Sequence, residues 1–182
     1  MFSLTNMLIS ASAGTGKTYQ LSLRFLGLLA LNHGSHPERL IAITFTRKAA
    51  GEFKDRILTD LAAGATDEEG AQRLKEQLWT VIKGTPGEPG IWPGATEAWK
   101  AENLHRERFR HLLHILVQNL ARLNLCTIDS LFAQIASTST FELGVSGFSM
   151  IDTTAEKLAR REALLSLYRE LSLIHISEPT RH

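Results

Sequence analysis

The sequence is poor in cysteine and proline, and neither sign of charge dominates it. It has one cysteine and five prolines in 182 residues, and 20 basic against 19 acidic side chains give a net charge of +1. A lone cysteine excludes an internal disulfide, and balanced charge means that any anion site must be local. No run reaches the roughly 18 apolar residues of a membrane span, and no signal-peptide pattern opens the chain. We therefore expect a cytoplasmic protein that does not bind membranes.

The first third of the sequence has the pattern of two successive strand–helix units. Residues 7–10 and 40–45 are short apolar runs that predict strands, the second of them covered on both faces. A helix is predicted after the first run, ending at residues 32–34, and another after the second run, ending near Gly64. Two such units in succession predict an α/β fold with a parallel sheet and flanking helices.

The remainder of the sequence alternates between helical stretches and one irregular segment. Residues 67–83 predict a helix, whereas residues 84–96 are rich in glycine and proline and predict a surface excursion beside the three tryptophans. We expect those tryptophans to form a local hydrophobic cluster rather than a surface that contacts a ligand. Residues 102–123 predict one long helix, residues 124–128 a third buried strand, and residues 153–170 an amphipathic helix that opens with a capping box.

The last residues of the chain have a different origin in our interpretation. Residues 171–181 coincide, over eleven residues, with the translation of a transposase-type sequencing adapter. We therefore expect residues 171–182 to be a non-native tail and the natural sequence to be cut near Glu170. On this interpretation, motifs that would follow Glu170 are missing from the sequence for a technical reason.

A glycine-rich segment after the first predicted strand has the composition of a phosphate-binding loop. Such a loop needs small residues at a helix N-terminus, so that several backbone N–H groups can converge on phosphate oxygens. In that arrangement the Lys17 ammonium would bind the β- and γ-phosphates, and the Thr18 hydroxyl would be a ligand of Mg²⁺. The segment consists of Ala11, Ser12, Ala13, Gly14, Thr15, Gly16, Lys17 and Thr18. The sequence therefore predicts a binding site for ATP and Mg²⁺.

Four segments together resemble the UvrD/RecB/AddA group of superfamily 1 DNA helicases. They are residues 11–18, 44–57, 126–132 and 147–152. The second segment is similar to the family pattern Thr-Phe-Thr-Asn-Lys-Ala-Ala, with Arg47 at the position of the asparagine. The resemblance implies a P-loop NTPase of the RecA-like class whose parent protein hydrolyses ATP to move 3′ to 5′ along single-stranded DNA in repair or recombination. It also implies partner subunits where the parent is a helicase–nuclease.

The resemblance also implies a division of the chain and a DNA-binding edge. Residues 1–140 would be part of the motor domain, with a helical, Trp-rich insert at about residues 65–101, and residues 141–170 would begin a helical insertion subdomain. The catalytic acidic pair and arginines would follow residue 170, so we expect this chain alone not to unwind DNA. The residues implied to contact DNA follow two neighbouring strands and are Phe45, Thr46, Arg47, Thr127, Asp129 and Ser130.

Several residues of this edge have a second interpretation. Phe45 is either a ring for base stacking or a core residue that ends its strand. Arg47 and Lys48 are either solvated or bound to an anion, since cations at a helix N-terminus oppose the helix dipole. Asp129 either contacts phosphate or only caps its helix. Elsewhere, His105, His111 and His114 are expected to form a polar face rather than a metal site, and Cys126 to be buried rather than reactive.

Two other functions are compatible with a phosphate loop. One is a stand-alone P-loop phosphotransferase acting on a small molecule, which would need an arginine-bearing lid that the sequence does not show. The other is a module that binds nucleotide, or a partner protein, without turnover. Stimulation of ATP hydrolysis by single-stranded DNA would separate the helicase hypothesis from both.

Overall fold

The computed structural model of the chain describes residues 16–139, the backbone of residues 153–176 with the side chains of residues 156–158 and 160–168, and the single residues Asn6, Leu8 and Gly144. The predicted first strand, apart from Leu8, lies outside these described residues, as do residues 11–15 of the predicted phosphate loop and the segment 147–152. The chain divides into two compact units, residues 1–131 and residues 132–182, and each is described by itself.

Helices dominate the first unit, and short strands connect them. The longest helices are α1 (Lys17–Leu31), α2 (Arg47–Thr66), α3 (Glu68–Lys83) and α5 (Arg106–Gln118). Shorter elements are strand β1 (Ile41–Thr44), the hairpin strands β2 (Gly84–Thr85) and β3 (Glu88–Pro89), helix α4 (Glu97–Asn103) and strand β4 (Asn124–Thr127). Two 3₁₀ turns, Pro37–Arg39 and Leu120–Arg122, precede β1 and β4, and helix α6 (Ile128–Thr138) crosses into the second unit.

Local signals account for most helix boundaries. Helix α1 ends at its predicted position, because Gly34 has a positive φ of 73° and its N–H donates to the Leu29 carbonyl at 2.8 Å. Thr46 caps α2, where its hydroxyl oxygen accepts the Ala49 N–H at 3.1 Å. Asp67 and Thr96 cap α3 and α4 in the same way. The predicted stop of the second helix near Gly64 is two residues early.

The core of the first unit lies where α1, α2, α3 and α5 pack together. Phe53, Ile57 and Leu61 form the buried stripe of α2, and each is 0% exposed. The ring of Phe53 meets the ring of Phe25 on α1 edge to face, with 5.6 Å between their centroids. Full burial of each such side chain stabilises the fold by about 1.5–3 kcal/mol. This helical core fixes the position of α2 and hence of the strands that contact it.

The two strands predicted on either side of the insert pair with each other. β1 and β4 are parallel, and the register joins Ile41 to Asn124 and Thr44 to Thr127. The prediction of parallel strands is thus confirmed for this pair. The prediction that β1 is covered on both faces is wrong. Ala42 is buried, whereas Ile41 and Ile43 are 57% and 44% exposed. Successive side chains of a strand point to opposite faces, and within the described residues only the Ala42 face of β1 is covered.

The irregular segment is more deeply integrated than the sequence predicted. Ile91 and Ala95 are 6% and 0% exposed, because the backbone after the hairpin is bound to the end of α3. The N–H groups of Ile91 and Trp92 donate to the carbonyls of Val81 and Ile82 at 3.0 and 2.8 Å. A surface location is therefore wrong for the middle of this segment.

The tryptophan cluster predicted beside that segment is confirmed. The rings of Trp92 and Trp99 meet edge to face, with 5.8 Å between centroids. The Lys100 ammonium lies 5.2 Å from the centre of the Trp79 ring and 3.0 Å from the Glu76 carboxylate. These contacts hold the segment against α3.

The long helix predicted over residues 102–123 is broken into three pieces. Helix α4 ends at Asn103, α5 begins at Arg106, and a 3₁₀ turn replaces the last residues. Leu104, at the break, is 0% exposed. The chain therefore changes direction at a residue that is drawn into the core, which periodicity alone could not show.

The second unit contains the longest helix of the described chain, α7 (Thr153–Ile176). It begins at the predicted capping box but continues beyond the predicted end at Glu170. Its described apolar side chains, such as Leu158 and Tyr168, are exposed. No helix in the described part of the chain is both long enough and apolar enough to cross a membrane.

Candidate nucleotide and nucleic-acid site

The start of α1 has the features of an anion-binding helix N-terminus. Gly16 precedes the helix in the left-handed conformation, with φ of 74°, and Lys17 is its first residue. The first N–H groups of an α-helix have no carbonyl partner within the helix and carry its positive dipole. The first turn contains no acidic side chain that would compete with an anion there.

The described residues at this helix start fit a magnesium-bound nucleotide. Lys17 is exposed and Thr18 is half-buried beside it. The second turn is held by Ser22, whose hydroxyl donates to the Thr18 carbonyl at 2.7 Å. Of the predicted loop, Gly16, Lys17 and Thr18 are therefore placed by the structure, whereas Ala11, Ser12, Ala13, Gly14 and Thr15 lie outside the described residues.

A contact that sequence reasoning missed joins this helix to α2. The Arg56 guanidinium lies over the Tyr19 ring, 4.9 Å from its centre, and 3.9 Å from the Asp60 carboxylate. Burial raises the pKa of Asp60, and the positive charges of Arg56 and Arg73 oppose that shift. Arginine–aromatic stacking contributes roughly 0.5–1 kcal/mol at exposed sites. No local sequence pattern connects Tyr19 with Arg56, because the two residues lie on different helices.

The sheet register brings the two predicted DNA-contacting segments together. Thr44 and Thr127 are partners in the parallel pair of β1 and β4, so both strands end at the same edge. Phe45, Thr46 and Arg47 follow β1 directly, and Asp129 and Ser130 follow β4. The prediction that these segments lie on neighbouring strands at one edge is confirmed. We call this edge the strand-end rim; it comprises Phe45, Thr46, Arg47, Thr127, Asp129 and Ser130.

Phe45 is the aromatic residue of the rim, and it is exposed. Its side chain is 86% exposed, although it follows a strand whose Ala42 side chain is buried. This exposure excludes the alternative in which Phe45 ends the strand as a core residue. Isolated exposed apolar residues are common on protein surfaces, but this ring lies beside a cation and hydroxyl groups.

The other residues after β1 combine a helix cap with two cations. The Thr46 hydroxyl caps α2, and the Thr46 carbonyl accepts the Thr44 hydroxyl at 3.0 Å. Arg47 and Lys48 are exposed in the first turn, which has no acidic residue. Lys48 is 3.8 Å from Glu52 one turn later, whereas no acidic side chain in the described residues pairs with Arg47. Because both cations oppose the helix dipole, an anion at this position would be stabilised.

At the second strand end, the capping residue is Thr127 rather than Asp129. The Thr127 hydroxyl oxygen accepts the Ser130 N–H at 3.2 Å and lies 2.9 Å from the Ser130 hydroxyl. The alternative in which Asp129 caps the helix is therefore wrong, because α6 begins at Ile128, two residues before the start that a cap at Asp129 would give. Thr127 is 6% exposed, whereas Asp129 is exposed in the first turn. The burial of Thr127 favours a positioning role over direct contact with a ligand.

The three histidines lie at the start of α5 and within it, and the cysteine lies on β4. Among the described residues, no group of histidine, cysteine, aspartate and glutamate could hold a metal ion. His105, His111 and His114 are exposed. Cys126 is a free, half-buried thiol on β4, where its partner across the sheet is Ile43. The expected full burial of Cys126 is therefore only partly correct.

Comparison with known proteins gives one family. The family model for the UvrD/REP helicase N-terminal domain matches residues 2–178. A segment of 85 residues, 45% of the chain, is 42% identical to an ATP-dependent helicase/nuclease subunit from Streptococcus suis (strain 98HAH33), of which it covers 7%. A segment of 61 residues, 34% of the chain, is 46% identical to the ATP-dependent DNA helicase PcrA of Bacillus subtilis (strain 168), of which it covers 8%.

A third relative is also described as a helicase subunit and is also matched over a small part of its length. The exonuclease/helicase subunit RexA of Lactococcus lactis subsp. cremoris (strain MG1363) is 40% identical over 72 residues, which are 38% of this chain and 6% of that protein. The chain thus corresponds to a small part of the length of these relatives, and no solved structure gives a significant match. Since the family model covers nearly the whole chain, the chain belongs to the UvrD/REP helicase N-terminal domain family.

Proposed function

We propose that this chain binds magnesium-bound ATP at the start of α1 and single-stranded DNA at the strand-end rim. In the whole protein, these sites would belong to a motor that couples ATP hydrolysis to 3′ to 5′ movement along single-stranded DNA in repair or recombination. The observation that supports this most is the register of β1 with β4. It places the exposed Phe45 ring and the Arg47 guanidinium at the same edge as Asp129 and Ser130.

The chemistry of the rim is suited to a single strand. An exposed aromatic ring can stack on an unpaired base of any sequence, which contributes about 1–3 kcal/mol per base. Arg47 supplies a cation, and the first turn of α2 supplies a positive dipole for the phosphate. Double-stranded DNA offers no free base face for Phe45, so we propose a preference for single strands.

The nucleotide site is proposed on the fit of the helix start and on family membership. Lys17 would bind the β- and γ-phosphates, and Thr18 would be a ligand of Mg²⁺. Gly16 and the preceding residues Ala11, Ser12, Ala13, Gly14 and Thr15 would surround the phosphates with backbone N–H groups. Magnesium-bound ATP would supply the energy of the motor.

The division of the chain is part of the proposal. Residues 1–140 would be part of a RecA-like motor domain with the insert at about residues 65–101, and residues 141–170 would begin a helical insertion subdomain. Residues 171–182 would derive from a sequencing adapter. The names of the relatives from Streptococcus suis and Lactococcus lactis describe subunits. We therefore propose that the whole protein works with partner subunits of a helicase–nuclease complex, and that this chain alone does not unwind DNA.

The exposed strand-end rim disfavours the alternative function of a small-molecule phosphotransferase. Phosphotransfer to a small acceptor requires an enclosed site that excludes water, whereas Phe45 and Arg47 are exposed beside the second strand end. A module that binds nucleotide without turnover remains an alternative for the isolated chain.

Binding of labelled oligonucleotides by the 182-residue chain tests the DNA part of the proposal. Fluorescence anisotropy with a labelled oligothymidylate should show binding that weakens with salt, and a duplex of the same length should compete poorly. Equal competition by the duplex, or no binding of the single strand, would contradict it. In the whole protein, ATP hydrolysis should increase when single-stranded DNA is added, which neither alternative function predicts.

A further inference from the structure

The contact between Arg56 and Tyr19 joins the helix that begins at the proposed nucleotide site to the middle of α2. Tyr19 is the third residue of α1, and Arg56 lies in the third turn of α2. The Arg56 guanidinium is 4.9 Å from the centre of the Tyr19 ring. A cation at this distance over an aromatic face is attracted to it. The contact therefore links the two helices at the end of α1 where the phosphates are proposed to lie.

Tyr19 lies within the part of α1 that would hold the phosphates. The first hydrogen bond of the helix runs from the Gln20 N–H to the Gly16 carbonyl, at 2.9 Å. The Tyr19 N–H precedes that bond, and N–H groups at this position have no carbonyl partner within the helix. Such groups are the donors that a helix N-terminus offers to an anion. The direction in which the Tyr19 N–H points is therefore part of the geometry of the proposed site.

Arg56 has a second contact, with a carboxylate on its own helix. The Arg56 Nε atom lies 3.9 Å from the Asp60 Oδ2 atom, one turn further along α2. This distance is too long for a hydrogen bond, so the attraction is electrostatic. Asp60 Oδ2 is buried and has no hydrogen-bond partner among the described residues, and the positive charge of Arg73 on α3 also acts on Asp60. A buried carboxylate has little freedom to move, so it can orient the guanidinium that contacts α1.

The core that packs the helices together does not depend on either contact. The apolar stripe of α2 packs through Phe53, whose ring meets Phe25 of α1, whereas Arg56 is exposed. Ion pairs one turn apart on an exposed helix surface contribute little to stability. The consequence of the two contacts is instead local, because they fix where the first turn of α1 lies relative to α2.

We propose that Arg56 is a positioning residue of the nucleotide site, which acts through Tyr19 to hold the first turn of α1 in the geometry that binds a triphosphate. Asp60 orients Arg56 for this role. The inference rests on the proposed function, since the ligand is the magnesium-bound nucleotide at the start of α1. It adds to that site two residues of α2 that lie outside the phosphate loop.

A double-mutant cycle on nucleotide affinity tests this role. Arg56→Met removes the cation and Tyr19→Leu removes the ring. Each should raise the Kd of a fluorescent ATP analogue with Mg²⁺ about two- to fivefold, the range that one cation–π contact can contribute. The double variant should bind no more weakly than the weaker single variant, because both changes break the same contact. Tyr19→Phe keeps the ring and should bind like the unchanged chain.

Further variants and a second ligand separate positioning from other roles. Asp60→Asn should weaken binding in the unchanged chain but not in Arg56→Met, because it acts through Arg56. Arg110→Met removes an exposed arginine that is also paired with a carboxylate, but on α5, and should leave the Kd unchanged. Magnesium-bound tripolyphosphate, as a competitor, should lose the same factor in Arg56→Met as ATP does, since the first turn binds phosphates.

Thermal unfolding of each variant completes the test. A purely structural role would lower the unfolding temperature without changing the Kd of the folded chain, whereas a positioning role changes the Kd at temperatures where every variant is folded.

The outcomes distinguish this inference from the proposed function. If the unchanged chain binds the analogue and Arg56→Met binds it with the same Kd, the inference is overturned and the nucleotide site remains. Additive effects in the double variant, an equal loss in Arg110→Met, or a loss for ATP without a loss for tripolyphosphate also overturn it. If the unchanged chain does not bind the analogue, both are overturned.

Discussion

Thr44 and Thr127 are directly paired where two parallel strands end. Through this pair, the segment after β1 and a segment more than eighty residues later in the sequence reach the same edge of the sheet. An aromatic ring, a cation, a carboxylate and hydroxyl groups are consequently collected on one surface.

Replacement of Phe45 should weaken DNA binding without affecting the fold. The side chain is 86% exposed, so Phe45→Ala should change the free energy of unfolding by less than about 0.5 kcal/mol. Loss of base stacking should cost roughly 1–3 kcal/mol of binding free energy for oligothymidylate. Anisotropy titrations and thermal unfolding measure the two quantities, and Phe45→Trp is the control that should retain binding. Undiminished affinity of Phe45→Ala would show that the ring is not a stacking platform.

The cap at the start of α6 gives a second prediction. Thr127→Val should destabilise the protein by about 1 kcal/mol, because the Ser130 N–H loses its acceptor, whereas Thr127→Ser should retain the cap. Asp129→Ala should cost about 0.3–1 kcal/mol through the helix dipole alone, and this cost should disappear at high salt. Urea denaturation at low and high salt measures both effects. A larger cost for Asp129→Ala than for Thr127→Val at high salt would restore Asp129 as the cap.

A third prediction follows from the raised pKa of Asp60. Burial disfavours its charged form, so the folded chain retains the proton to a higher pH than the unfolded chain does. Stability should therefore fall as the pH rises from about 4, the ordinary aspartate value, through the raised pKa of Asp60. Below that window Asp60 is protonated in both states, and its effect on the pH dependence vanishes.

The measurement for Asp60 is a difference between variants. The free energy of unfolding of Asp60→Asn, minus that of the unchanged chain, should increase across this window and then remain constant. Asp55→Asn, an exposed position on the same helix, is the matched control and should show a smaller change. A difference for Asp60→Asn that decreases with pH would mean that its folded pKa is lowered, not raised.

The sequence predicted those helices and strands whose boundaries are set by residues within a few positions. The end of α1 at Leu31, before the turn at Gly34, and the strands β1 and β4 follow from turn residues and apolar runs within a few positions. The candidate site residues Lys17, Thr18, Phe45 and Arg47 were likewise found from a motif and its neighbours. The resemblance to the helicase family predicted that the segment after β4 would share an edge with Phe45.

Features set by distant neighbours could not be predicted in this way. The exposure of Ile41 and Ile43 depends on what covers a sheet face, and the burial of Ile91 depends on hydrogen bonds to the end of α3. Thr127 and Asp129 are both good capping residues, and only the start of α6 decides between them.

The central claim is that magnesium-bound ATP is held at the start of α1, and a nucleotide titration of Lys17→Ala tests it most directly. The unchanged chain should bind a fluorescent ATP analogue in the presence of Mg²⁺, and Lys48→Ala, which removes a cation beside the rim instead, should bind it equally. Lys17→Ala should change the free energy of unfolding by less than about 0.5 kcal/mol, because contacts of an exposed side chain contribute little, and should bind at least about tenfold more weakly. The same affinity in Lys17→Ala and the unchanged chain, with both folded, would contradict the account.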